Sequence, residues 1–159
     1  MAYGPADQPI TISPASLADW AAAQAARASD VIDFEAILAA LGTLSDILVF
    51  GQSKLVAGTP STYRALYVYA YATVGGTSYP DAVTGADAAI TTNNPFNIGR
   101  IGAIMMGAGN TSYSAGPWSF RAAFGGTLPS KGGIVLINLT GLALSSTDGD
   151  HIFTYQAVP

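Results

Sequence analysis

Residues 63–74 read Tyr-Arg-Ala-Leu-Tyr-Val-Tyr-Ala-Tyr-Ala-Thr-Val and alternate with period two. Tyr67, Tyr69 and Tyr71 fall on one side, with Tyr63 in phase. Leu66, Val68, Ala70 and Ala72 fall on the other. In a strand, residues i, i+2 and i+4 share a face, so the pattern demands one long extended segment. Tyrosine and valine both suit a pleated, half-buried surface. The small apolar face fits a tight contact with a second sheet. The tyrosine face is amphipathic, each ring carrying a hydroxyl that needs a partner. Either a second protein surface covers that face, or the strand belongs to a sandwich that stands alone.

The segments around it point to an all-β chain. Residues 45–56 and 97–106 read as strands, the first kinked at Gly51. Residues 118–124 read as another, with Trp118, Phe120 and Ala122 on one face. Residues 134–139 form a nearly continuous apolar run, the mark of a strand buried on both sides. Residues 151–158 alternate and close the series. About eight strands, with turn signals every 8–12 residues, indicate a sandwich or barrel. Long cross-connections favour a jelly-roll-like antiparallel β-sandwich.

The N-terminal part is different. Residues 1–13 contain two prolines and a glycine and read as an extended arm, with a short strand at Ile10–Ile12 as an option. Ser13-Pro14 is a good helix start, and the alanines of residues 15–26 favour a short leading helix that ends near Trp20–Ala23. The expected organisation is therefore an arm, 1–13, and a single β-sandwich domain, 14–159. Residues 30–36 alternate and are assigned to a strand. Glu35 to Leu41 followed by Gly42 is the competing helix. Residues 77–97 form a long polar connection, of the length that is usually functional or disordered.

Composition restricts the function. Only 10% of residues are charged and 50% are hydrophobic, against about 25% charged in a typical soluble domain. A surface so poor in charge tends to associate. No apolar run approaches the roughly 18 residues of a spanning helix, and the first residues show no secretory signal. The net charge is −4, and six scattered Lys and Arg cannot build a basic stripe for nucleic acid. With no cysteine, thiolate chemistry and disulfides are excluded.

Catalytic constellations are weak. His151 lies beside Asp148 and Asp150, with Ser145 and Ser146 near, but triads depend on geometry and no nucleophile elbow exists. Asp33 and Glu35 would share a strand face as a carboxylate pair, alongside Asp30. Asp81, Asp87, Asn93 and Asn94 offer oxygen ligands for calcium without the spacing of a known motif. The expectation is a protein that is not an enzyme and uses no cofactor or metal.

Several stretches resemble one family. They are residues 65–71 with Thr77-Ser-Tyr-Pro-Asp81, Phe120-Arg-Ala-Ala-Phe-Gly-Gly-Thr-Leu-Pro129, the Gly133-Ile-Val and Asn138-Leu-Thr-Gly141-Leu-Ala-Leu144 segments, and Ser16-Leu-Ala near the start. Together they resemble the small virion structural proteins (capsid decoration or head-associated) of tailed bacteriophages. The resemblance runs from Ile10 onward and implies a virion component assembled in the host cytoplasm. Low charge and an outward tyrosine face suit such a role, since tyrosine is enriched at interfaces. The leading expectation is a capsid decoration (cement) protein, a homotrimer clamping the major capsid protein. Tyr3, Trp20, Tyr67, Tyr69 and Tyr71 are its expected contacts. A tail or fibre-base protein is the alternative. A lectin-like glycan-binding module, stacking sugars on Trp118, Tyr79 and Tyr113, is a further one.

Overall fold

A computed structural model of the chain describes residues 7–13, 25–61, 64–80, 82–91 and 98–159. Among them are ten strands: β1 (Gln8–Pro9), β2 (Ala25–Ala28), β3 (Ile32–Asp33), β4 (Asp46–Lys54), β5 (Ala65–Ala72), β6 (Ala88–Thr91), β7 (Gly99–Met105), β8 (Ser112–Ser119), β9 (Lys131–Asn138) and β10 (Ile152–Val158). Two short helices, α1 (Phe34–Leu41) and α2 (Phe120–Ala123), punctuate them.

The pairing is nested. β1 pairs β10, β2 pairs β9, β4 pairs β8 and β5 pairs β7, all antiparallel. Successive nested pairs alternate between two sheets, ordered β1-β10-β4-β8 and β6-β2-β9-β5-β7. A folded-over ribbon wound in this way is the jelly roll. β3 extends along β9, and β6 adds an edge beside β2. The all-β sandwich expected from the sequence is therefore the observed fold.

The main core lies between the sheets. Leu66, Val68 and Ala70 of β5 and Ile134 and Leu136 of β9 meet Ile47 and Val49 of β4 and Phe153 of β10. β9 is buried along nearly its whole length, as its apolar run requires. At Gly51 the β4–β8 register shifts. An added Cβ there would lie 2.6 Å from the Phe153 ring, so the missing side chain of Gly51 leaves room for that ring.

Three expectations are corrected. Gln8–Pro9 already belongs to a sheet, and the Ile10 N–H donates to Phe153 O at 2.8 Å, so the arm ends sooner than residue 13. Ala25 and Ala26 lie in β2, beyond the expected end of the leading helix at Trp20–Ala23. Ala26 and Ala28 are fully buried beside β9, where small side chains allow a close cover, so tertiary packing overrides alanine's helix propensity. The expected helix itself, within residues 14–24, lies outside the described residues. The strand assigned to residues 30–36 shrinks to β3, and the competing helix forms instead. Asp33 Oδ1 accepts from Ala36 N at 2.9 Å as its N-cap, and Gly42 closes it at φ 76°. Finally, the strand expected over 118–124 stops at Ser119. Its hydroxyl accepts from Ala122 N at 2.9 Å and caps α2.

Candidate functional site

The period-two tyrosines form the outer face of the larger sheet. Cross-strand register builds two rows across it: Ile90, Ala26, Ile137, Tyr67 and Ala103, then Ala88, Ala28, Val135, Tyr69 and Arg100. Ala26, Ala28, Ile90, Val135 and Ile137 belong to a second, smaller core, with Tyr67 and Tyr69 packed against it. Strand parity therefore places the tyrosines as expected.

Their environments differ. Tyr71 is fully buried by its own chain. It stands opposite Gly133, whose missing side chain leaves room for the ring, and Tyr79 packs edge-on at 6.4 Å. Its hydroxyl donates to Ser29 O at 3.0 Å. Burial pushes the Tyr71 phenol far above its ordinary pKa, a shift the Ser29 hydrogen bond only partly offsets. Tyr71 is thus unavailable as an interface contact, and that expectation is corrected. The cover comes from the connection after β5, expected to be a loop without an element. It carries β6, buries Val83 and lays Tyr79 across Gly85.

Tyr67 and Tyr69 remain half-buried. Their rings meet edge to face at 6.4 Å and 82°. The Arg100 guanidinium lies 5.1 Å from the Tyr67 ring centre, a cation–π distance. Burial raises the Tyr69 phenol pKa, and Arg100 counters part of that. Met105, further along β7, is 62% exposed. The strip Tyr67–Tyr69–Arg100–Met105 can bury aromatic and thioether surface and supply one cation. Tyr3 and Trp20, the other expected contacts, lie outside the described residues.

The weaker sequence candidates resolve as local structure. His151 Nδ1 lies 2.7 Å from Ser53 Oγ, and Nε2 lies 2.9 Å from Ser145 O. A carbonyl only accepts, so Nε2 donates to Ser145 O, and in the neutral ring Nδ1 then accepts from the Ser53 hydroxyl. Ser53 is fully buried, where no substrate can reach it. Ser145 Oγ instead donates to Asp150 at 2.6 Å, and Lys54 pairs with the same carboxylate at 3.3 Å. The network ties β4 to the turn before β10. Nothing local in the sequence marks Ser53 as the histidine's partner.

Asp33 and Glu35 do not share a strand face, because α1 begins between them. Asp33 is held below the usual carboxylate range, first by the Ala36 N–H and then by Lys131 at 3.0 Å. Asp87 pairs with Arg27 at 2.6 Å and takes no part in a ligand cluster. Among the described residues no three His, Asp or Glu side chains gather as a metal site. Asp81, Asn93 and Asn94 lie outside those residues. Nor is any described helix long and apolar enough to cross a membrane.

The aromatics proposed for sugar stacking are engaged internally. Trp118 fills the space over Gly102, where a Cβ would fall inside the indole. The Tyr113 hydroxyl accepts from Ala108 N at 2.8 Å, and Tyr79 covers Tyr71. The missed feature is a cleft of about 550 Å³ between α1 and α2, with Arg121 on its wall.

No protein-family model, curated protein or solved structure matches this chain.

Proposed function

We propose that this chain is a non-enzymatic structural protein of a bacteriophage virion. It decorates the capsid as a cement protein, associating as a homotrimer and stabilising the shell of the major capsid protein. The observation that carries the reading is the strip of Tyr67, Tyr69, Arg100 and Met105. It places large apolar groups and an arginine on the outer face of a sheet, and aromatic residues, methionine and arginine are the types enriched at interfaces. The family resemblance in residues 65–71 falls on the same strand. A chain with 10% charged residues gains from burying such a face against a neighbour.

Two measurements test the proposal. Native mass spectrometry of the purified protein should give three times the 16.2 kDa chain mass. Met105→Glu should shift the population toward monomer by about tenfold or more, because it buries a charge in the contact. A wild-type monomer at micromolar concentration would overturn the self-association. The second measurement is copy number in purified virions. Hundreds of copies fit a shell, whereas three or six would move the protein to the tail or fibre base.

A further inference from the structure

We infer that the cleft between α1 and α2 docks an apolar peptide segment that carries a carboxylate, supplied by a protein partner. The inference does not depend on the virion reading. The cleft's volume of about 550 Å³ lies within the range of ligand-binding sites. Phe34, Leu38, Leu44 and Leu128 give it apolar walls. Leu38, on the cleft wall, is 45% exposed. Only Glu35 among the eight residues of α1 carries a charge.

The choice of a carboxylate comes from Arg121. Its Nε donates to Gly126 O at 2.6 Å and its Nη1 to Ser45 O at 3.1 Å. These two carbonyls anchor the guanidinium. Asp46 is close, but it accepts from the Arg121 backbone N–H at 3.0 Å and not from the guanidinium. Among the described residues, the ion pairs take up Arg27, Lys54 and Lys131 and leave Arg121 without a carboxylate. Glu35, on the facing wall, acts on Lys131, which is already paired with Asp33. The remaining N–H groups form a preorganised fork of the kind that matches a carboxylate. The apolar walls favour a leucine-like side chain next to that acid. A chain terminus and an acidic side chain both present this chemistry.

Fluorescence anisotropy on the full chain tests the inference with three labelled probes. The first is Gly-Leu-Pro-Leu with a free terminal carboxylate. The second is the same peptide amidated. The third is amidated Gly-Leu-Pro-Asp-Leu. At least one carboxylate probe should saturate below about 1 mM, and the acid-free probe should bind about tenfold more weakly, the loss expected for one charge-assisted contact. Which carboxylate probe binds identifies a terminus or a side chain as the source. Leu38→Glu, an exposed substitution that leaves the arginine anchor intact, should abolish binding without changing the thermal midpoint. Arg121→Gln should erase the preference for acid. Equal binding of acidic and acid-free probes overturns the inference. So does full binding by Leu38→Glu, or no binding by any probe at about 1 mM.

Discussion

Tyr71 shows how one side chain can belong to a pattern and depart from its use. Its ring lies on the outer face with Tyr67 and Tyr69, yet Gly133 and Tyr79 enclose it and Ser29 O takes its hydroxyl proton. Tyr71→Phe removes that donor and leaves a buried carbonyl short of a partner, so it should cost about 1 kcal/mol at neutral pH. The effect should change with alkalinity. The folded-state pKa of Tyr71 is raised, so the neutral phenol contributes stability fully below the unfolded pKa of about 10, and this is lost as pH rises above it. The phenylalanine variant has no such proton to lose. Urea titrations at neutral pH and above about pH 10 should show the gap between the two proteins narrowing. A gap that widens would contradict the assigned environment.

Among the elements, α1 is the most instructive. Asp33 and Gly42 bracket Phe34–Leu41 at the spacing that a capped helix needs. A three-step alternation in residues 31–36 suggested a strand, but each cap satisfies backbone groups that a strand there would leave open. Asp33→Ala should cost about 1 kcal/mol through the lost N-cap. Gly42→Ala should cost a similar amount, about 1 kcal/mol, because φ 76° is strained for a side chain. The two should add, the sites lying at opposite helix ends, and chemical denaturation of the double variant checks this. Both caps are present in the sequence, so this element is legible there, and the capped helix outweighs the short alternation. β5 and β9 were legible because their patterns are long and pure. β2 was not: alanine gives no sign of a strand, and only the pairing of Ala26 and Ala28 with β9 makes them one. The candidate surface was half legible. Parity put Tyr67, Tyr69 and Tyr71 together, but only the folded chain shows that Gly133 and Tyr79 take Tyr71 out of it. Arg100 and Met105 join from a different strand, and Arg121 meets Ser45 and Gly126 only in three dimensions. No local motif encodes such meetings.

At the scale of the molecule, the nested pairing ties the first of the described strands to the last. β10 lies between β1 and β4, in register with Gln8–Pro9 on one side and Asp46–Gln52 on the other. During synthesis β10 leaves the ribosome after every other strand of the roll. Until it does, β4 lacks its neighbour on that side, and Phe153 and Ala157 are missing from the core. A nascent chain stalled with His151 as its last emerged residue should therefore be cut rapidly by a protease. One stalled well beyond Val158 should resist, and limited proteolysis of the two stalled chains reads the difference. Resistance in the shorter chain would mean that the larger sheet folds unaided. Translation thus delivers a keystone last, and the ribosome holds an open arch of strands until it arrives.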